Sequence, residues 1–223
     1  MNFLEERQNI CEMGRRIWQR GWTAYNSGNI SVKVDENAYL VTPTGVSKGF
    51  MHPEMILLVN SEGEKLEQSS YSTTSEFKLH VMCYKKREDV GSVIHAHTPM
   101  CTVFAAAGEN LEGDFLVDSG LLFGEIPCAP YYTLGTSELA MSIEEYIFNH
   151  DAMLLANHGV ITVGRDVETA YFLLEEAENL ANITWHLKAI SAEPRRFTKD
   201  EYNALVDVRS NRCLSGKHPG KKG

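Results

Sequence analysis

Histidines in two short motifs are the residues of this 223-residue chain whose type and spacing most directly suggest chemistry. His95 and His97 lie two apart at the end of an apolar stretch typical of a β-strand. Side chains two residues apart share one face of a strand, so both imidazoles can reach one metal ion. His158 follows a second apolar stretch and precedes Gly159, at a predicted strand-to-turn corner. Each motif alone is compatible with structural histidines, but together they predict the three-histidine, open-position ligand set of a catalytic zinc ion.

Three turns carry residue types that suit an anion. A helix N-terminus that follows hydroxyl residues offers free backbone amides, and glycines let amides approach a ligand without a Cβ in the way. Each turn alone is more typical of ordinary capping or turn chemistry, whereas the three together make phosphate binding plausible. The residues of this candidate phosphate site are Gly28, Asn29, Thr44, Gly45, Thr74 and Ser75.

Glu76 follows these hydroxyl residues in the first turn of the predicted helix. A glutamate in this place can simply complement the helix dipole. It can also be a carboxylate that accepts and donates a proton between a bound phosphate and a metal. The residue pattern alone leaves both interpretations open.

The elements that must position these residues alternate along the chain. Apolar periodicity and turn residues predict strands at 30–34, 38–42, 55–59, 90–97, 152–156 and 160–163. Helices are predicted at 1–21, 72–87, 100–107, 138–149, 166–191 and 198–208, with residues 115–126 irregular. Several strands are joined by hairpin-length turns, which favours a mixed sheet with helices packed on it. The other histidines are predicted to be solvated or packing residues: His52, His80, His150, His186 and His218.

Composition limits the class of protein. With 43% hydrophobic and 23% charged residues, the chain is typical of one globular domain, predicted over residues 1–213, with a disordered tail at 214–223. The net charge of −9 argues against a nucleic-acid partner. No apolar stretch is long enough for a membrane span, and the N-terminus does not resemble a secretory signal. Five cysteines without close pairing predict reduced thiols in the cytoplasm.

Six motifs occur together in one order and spacing. They are Gly28-Asn29-Ile30-Ser31, Thr42-Pro43-Thr44-Gly45, Thr74-Ser75-Glu76, His95-Ala96-His97, Ile126-Pro127-Cys128-Ala129-Pro130-Tyr131 and Asn157-His158-Gly159. In this, residues 5 to 210 resemble the class II aldolase/adducin-head family, and most closely its zinc-dependent L-fuculose-1-phosphate aldolase branch.

The resemblance implies a fold, an assembly and roles. The fold would be a three-layer α/β/α domain around a mostly antiparallel sheet, in a homotetramer with active sites between subunits. His95, His97 and His158 would hold Zn²⁺, although such a set also suits Mn²⁺ or Co²⁺. Glu76 would be the catalytic acid/base and a fourth ligand before substrate arrives. The candidate phosphate site would hold the phosphate of a small sugar.

The reaction implied is reversible cleavage of a ketose 1-phosphate into dihydroxyacetone phosphate and an aldehyde. L-Fuculose 1-phosphate and a 5-deoxypentulose 1-phosphate such as 5-deoxyribulose 1-phosphate are both credible substrates. Methylthioribulose-1-phosphate dehydratase and sugar-phosphate 4-epimerase activities stay open as alternatives within the family, although Gly120 stands where the epimerases have an aspartate. A non-enzymatic adducin-like scaffold is a remote alternative, since such scaffolds lack the metal ligands.

Two tyrosines of the aldolase pattern are missing from this sequence. A tyrosine near the family's C-terminus has no clear counterpart around residues 208–214. Leu116 stands where the fuculose-phosphate aldolases have a tyrosine that protonates the aldehyde oxygen. Tyr131, Tyr132, Tyr202 or Asp118 could substitute, and the sequence does not select among them. The surrounding stretch, residues 115–123, is apolar. This favours a deoxy or otherwise apolar aldehyde, and it is also consistent with a subunit interface.

Overall fold

A seven-stranded mixed sheet forms the centre of the protein. The computed structural model describes residues 2–222. The nine strands are β1 Asn29–Asp35, β2 Ala38–Val41, β3 Leu57–Val59, β4 Ser92–Ala96, β5 Leu111–Glu112, β6 Glu125–Ile126, β7 Cys128–Ala129, β8 Ala152–Leu155 and β9 Gly159–Gly164. The sheet order is β3-β2-β1-β4-β9-β8-β7, with β5 and β6 as a separate pair. Only β7 and β8 pair in parallel among the described strands.

Helices cover both faces of this sheet. They are α1 Leu4–Gln19, α2 Phe77–Lys86, α3 Pro99–Ala107, α4 Val117–Leu122, α5 Ser137–Met141, α6 Val167–Ala189 and α7 Lys199–Asn211. Side chains define two of the starts. The Asp166 carboxylate accepts from the amide of Thr169 to cap α6, and Thr198 forms a capping box at α7. No helix within residues 2–222 is long and apolar enough to cross a membrane.

The two faces of the sheet have separate hydrophobic cores, because strand side chains alternate. Ile94 belongs to the core under α1, α3 and α6, whereas its neighbour Val93 belongs to the core under α2. His95 therefore shares the face of Val93 and points toward the α2 side. The predicted α/β class with a mostly antiparallel, helix-flanked sheet is confirmed.

Two segments differ from the sequence prediction. The helix predicted over 138–149 ends at Met141, where the Ser142 hydroxyl donates to the carbonyl of Leu139, and turns follow. Ile143 and Ile147 in those turns are still fully buried. The stretch predicted as irregular, 115–126, contains the short helix α4 and strand β6. The helical spacing of apolar residues therefore continues beyond the end of the helix.

The C-terminal residues 214–222 contact the body of the protein. Residues 214–222 contain no helix or strand, yet they have partners on the body of the protein. The amide of Lys217 donates to the buried Asp151 carboxylate at 2.8 Å, and Lys222 Nζ lies 2.7 Å from Asp114. No local sequence pattern predicts this contact, because Asp151 and Lys217 are 66 residues apart along the chain. The division into a domain at 1–213 and a disordered tail stays a prediction.

Candidate metal centre and active site

Adjacent strands bring the three predicted histidines together. His95 is in β4, His97 follows that strand, and His158 lies in the tight connection between β8 and β9. Because Ala96 of β4 pairs with Val160 of β9, the two strand ends meet at one edge. The Nε2 atoms of His95 and His97 are 3.0 Å apart, and one ring nitrogen from each histidine lies within 4.8 Å of the others. A cluster of this kind could hold a metal ion.

Backbone features around His158 make this approach possible. Asn157 has a left-handed conformation (φ 59°), which asparagine tolerates better than most residues. Its amide donates to the carbonyl of Ala105 at 2.8 Å. At Gly159, a Cβ would lie 2.5 Å from the carbonyl oxygen of Ala96 and 3.0 Å from the His97 ring. A side chain at position 159 would therefore displace the cluster.

The His95 ring is oriented and neutral. Its Nδ1 donates to the carbonyl of Val160 at 2.9 Å, which leaves the lone pair of Nε2 for the cluster. Burial lowers the pKa of His95 to about 3, and burial likewise lowers the pKa of His97. Neutral imidazoles with free nitrogen lone pairs are the form that binds a cation.

Glu76 lies beside the histidines at the N-terminus of α2. Its Oε2 accepts from the amide Nδ2 of Asn29 at 2.7 Å. Its Oε1 lies 3.1 Å from His158 Nε2 and 3.6 Å from His95 Nε2. This buried oxygen has no well-formed hydrogen bond among the described residues. An unpartnered carboxylate oxygen facing ring nitrogens fits a divalent cation between them.

The Glu76 carboxylate is ionised. Burial by itself raises its pKa, but the neighbouring His95 and His158 and the amide of Asn29 lower the pKa well below its ordinary value. Asn29 pairs across β1 and β4 with His95, so the strand register sets the amide beside this carboxylate. The site thus combines nitrogen ligands with a charged carboxylate in a buried setting.

The predicted phosphate turns surround an adjoining cavity of about 250 Å³. Glu76, His97 and His158 form part of its wall. Five residues of the candidate phosphate site also line it, namely Gly28, Asn29, Thr44, Thr74 and Ser75. Gly45 belongs to the same turn as Thr44 but is not part of the lining. Gly28 has a positive φ of 76°, and a Cβ there would come within 2.8 Å of the His95 carbonyl oxygen.

Lys48 is a cavity residue that sequence reasoning missed. It is only 2% exposed, and its Nζ donates to the carbonyls of Asn26 at 3.1 Å and Val46 at 2.9 Å. Burial lowers its pKa to about 8. A buried lysine has three donors, so one remains beyond these two bonds. The sequence signal that could have identified Lys48 is its position three residues after Gly45, next to a predicted anion-binding turn.

His80 has a more specific set of contacts than the sequence pattern indicates. The sequence predicts a solvated or packing residue, and the side chain is fully buried and hydrogen-bonded at both ring nitrogens. Its partners are Ser31 and Asn29 on β1. The signal was the spacing of four residues from Glu76 to His80, which puts both on one helix face.

The candidates for the missing tyrosine do not reach the cavity in this chain. Leu116 is half-buried against the core. Tyr131, Tyr132 and Asp118 are exposed, and Tyr202 is 2% exposed beside Lys222. None of these residues lines the cavity around Glu76. Nor does the apolar stretch 115–123, whose Leu121 and Phe123 are buried in the protein's interior.

Comparison with known proteins places the chain in a family. Residues 8–185 match the model of the Class II Aldolase and Adducin N-terminal domain. The protein belongs to this family, and it is an enzyme of the class II aldolase type.

Individual relatives agree on the class but carry different activities in their names. The 5-deoxy-D-ribulose 1-phosphate aldolase of Bacillus thuringiensis serovar kurstaki is 32% identical, with 92% of this chain and 96% of that protein aligned. The 3-oxo-tetronate 4-phosphate decarboxylase of Haemophilus influenzae is 30% identical, covering 84% and 90%. A solved L-fuculose 1-phosphate aldolase superimposes with a TM-score of 0.84 at 26% identity, covering 94% and 98%.

Proposed function

We propose that the protein is a divalent-metal-dependent aldolase that reversibly cleaves a ketose 1-phosphate into dihydroxyacetone phosphate and an aldehyde. The observation that carries this proposal is the unpartnered Oε1 of Glu76 facing His95 and His158, at the wall of a cavity that residues of the candidate phosphate site also line. The proposal joins one metal centre and one phosphate site that border the same cavity.

The metal would be held by His95, His97 and His158, with Glu76 as an additional ligand before substrate binds. We favour Zn²⁺, and Mn²⁺ or Co²⁺ suit the same donors. When bound, the cation supplies Lewis-acid stabilisation of negative charge on substrate oxygen.

Glu76 would move the proton at substrate C3. In cleavage, the C3–C4 bond breaks, the C4 hydroxyl loses its proton, and C3 gains one. An ionised carboxylate can remove the C3 proton in the synthetic direction and return it in cleavage. Asn29 would hold Oε2 in place throughout. No tyrosine is among the residues that line this cavity within residues 2–222. We propose that a neighbouring subunit of the predicted homotetramer supplies the proton acceptor at the C4 hydroxyl.

The phosphate would be bound by the turn residues predicted from the sequence: Gly28, Asn29, Thr44, Gly45, Thr74 and Ser75. Lys48 would add the positive charge that these neutral groups lack, because its third N–H remains for a ligand. Holding the unreactive end of the sugar would position the reacting carbon at the metal.

The substrate we favour is 5-deoxyribulose 1-phosphate or L-fuculose 1-phosphate. Support comes from the relatives named for these sugars and from Leu134, a half-exposed apolar residue at the cavity wall. We propose a cytoplasmic location, in line with the free cysteines of the described chain.

A metal-reconstituted assay with a panel of phosphorylated sugars tests this function. The panel holds 5-deoxyribulose, L-fuculose and methylthioribulose 1-phosphates, ribulose 5-phosphate and 3-oxo-tetronate 4-phosphate. We expect dihydroxyacetone phosphate from one of the ketose 1-phosphates, and no product after chelation of the metal. Dehydration, epimerisation or release of CO₂ without that product would replace the aldolase assignment with the corresponding alternative.

A further inference from the structure

A row of polar side chains leads away from Glu76 into the otherwise apolar layer between α2 and β1. Glu76, His80 and Tyr84 follow one another at intervals of four residues and so share one face of the helix. Asn29 and Ser31 lie two apart on β1 and so share the facing side of the sheet. The helix and strand periods bring these five groups into one ladder, buried at every member.

Four short contacts connect the ladder. Asn29 Nδ2 lies 2.7 Å from Glu76 Oε2, and Asn29 Oδ1 lies 2.6 Å from His80 Nε2. His80 Nδ1 lies 2.7 Å from Ser31 Oγ, which in turn lies 2.7 Å from the Tyr84 hydroxyl. All four distances are those of well-formed hydrogen bonds.

The direction of each bond follows from the first. The ionised Glu76 carboxylate accepts only, so Asn29 must turn its amide nitrogen toward it. The Asn29 oxygen then faces His80, and His80 must donate from Nε2. A neutral imidazole with a proton on Nε2 accepts at Nδ1, so the Ser31 hydroxyl donates there. Ser31 in turn accepts from Tyr84.

We propose that His80 is a positioning residue for the acid/base. Its Nε2–H fixes the Asn29 amide so that Nδ2 holds Oε2 of Glu76 and Oε1 stays directed at the three histidines. This inference rests on the proposed role of Glu76 in proton transfer. His80 does not line the cavity itself and acts on Glu76 through Asn29.

Burial argues against a purely space-filling role for His80. Its helix neighbours Phe77, Leu79 and Val81 belong to a hydrophobic core, where an aliphatic side chain would pack without any desolvation cost. A fully buried imidazole is retained there only with partners at both nitrogens, and the partner at Nε2 is the residue that holds the carboxylate. Without His80, the Asn29 amide could rotate and present its oxygen to Glu76, which would repel the carboxylate.

The first test is the tautomer of His80, read by NMR on the full chain with ¹⁵N-labelled histidine. The His80→Gln variant assigns the signal. We expect a neutral ring with its proton on Nε2 at pH 7. A proton on Nδ1 would reverse the Asn29 amide and overturn the proposal. This measurement needs no substrate, so it gives the same answer whether or not the aldolase assignment stands.

The second test is a double-mutant cycle with Glu76, on whichever substrate the panel selects. His80→Leu should lower kcat roughly 10- to 100-fold with KM changed less than about 3-fold, since it misplaces the acid/base and not the phosphate. In the Glu76→Gln background the same change should cost less than about 2-fold, because the group that His80 positions is already inactive. An equal loss in both backgrounds would show a structural role and overturn the proposal.

Two further variants keep this test interpretable. His80→Gln retains a donor and an acceptor in one side chain, and it should restore part of the kcat lost in His80→Leu. Cys83→Ala is the matched control, since it removes a buried α2 side chain that bonds only to its own helix at Leu79. It should leave kcat within about 2-fold while costing stability, as buried truncations do. A loss of kcat in Cys83→Ala as large as in His80→Leu would attribute the effect to helix destabilisation.

Discussion

The two halves of the candidate site are built in different ways. The metal and phosphate half consists of strand ends and tight turns around His95 and Glu76, with buried side chains held by hydrogen bonds. The aldehyde half was expected from residues 116–132, but none of these residues lines the cavity. Their side chains are either exposed or packed in the core. Under the proposed function, one chain would supply the part of the site that is common to all ketose phosphates. Discrimination among aldehydes would fall to surfaces outside its rigid core.

Loss of a predicted metal ligand should have the largest effect on the metal and phosphate half of the site. His97→Ala leaves two imidazoles, so we expect metal below a tenth of wild-type stoichiometry and activity lower by at least about 10³-fold. Metal content by plasma emission spectroscopy and the cleavage assay measure both. His186→Ala, an exposed histidine on α6, is the control and should keep both. Full metal content in His97→Ala would remove it from the ligand set.

Replacing the Glu76 carboxylate with a neutral amide should lower turnover without removing the metal. Glu76→Gln keeps the shape of the side chain but cannot take a proton, so we expect kcat to fall about 10²- to 10⁴-fold. The three histidines should keep most of the metal in this variant. Turnover within about 2-fold of wild type would exclude Glu76 as the acid/base.

Removal of the positive charge of Lys48 from the cavity should affect substrate binding more than turnover. Lys48→Met preserves length but removes the charge, and we expect KM for the phosphorylated substrate to rise about 10-fold. KM for the unphosphorylated sugar should stay unchanged, which steady-state kinetics on the matched pair of sugars will show. Equal shifts for both sugars would mean that Lys48 only braces the two turns.

The stability of the folded protein should fall in acid because His80, the imidazole of the ladder, is buried. Burial lowers the pKa of His80 to about 4, against about 6.5 in an unfolded chain, while the Glu76 charge opposes this shift. Between these values the unfolded state binds a proton that the folded state does not, so stability falls as pH decreases. The contribution is complete above pH 6.5 and is lost at up to about 1.4 kcal/mol per pH unit on the way to pH 4.

Urea unfolding between pH 7.5 and 5, at one protein concentration, checks this. The stability difference between wild type and His80→Gln should shrink as pH falls, since the variant lacks the titrating group. A difference that is constant over this range would show that the pKa of His80 is the same in the folded and unfolded states.

The smallest effects are expected in the aldehyde half. Tyr131→Phe and Tyr132→Phe each remove a hydroxyl from an exposed ring outside the cavity, so kcat should change less than about 3-fold. Cleavage kinetics measure this directly. A loss above 10-fold in either variant would identify the proton acceptor for the C4 hydroxyl and show that this half is completed by the same residues that the sequence proposed.

The sequence predicted the grouping of residues in the metal and phosphate half better than that in the aldehyde half. The histidine spacing, the three turns and the strand pattern are local, so their consequences could be derived before the structure was known. His80 and Lys48 escaped because their roles depend on contacts between β1, α2 and the 44–48 turn, which no local pattern contains. The contact of residues 214–222 with Asp151 was missed for the same reason. The length of the helix that ends at Met141 was overestimated because buried Ile143 and Ile147 continue a helical spacing, with an isolated helical hydrogen bond between them, through a segment of turns.

The two periods in the ladder between α2 and β1 also restrict how the family can change length. One residue inserted between Glu76 and Tyr84 would rotate the rest of the helix by about 100° and separate Tyr84 from Ser31. One residue inserted between Asn29 and Ser31 would turn the second side chain to the opposite face of the sheet. Insertions and deletions should therefore accumulate in the loops on either side of these elements. Both intervals inside them should stay fixed even where the amino acids drift.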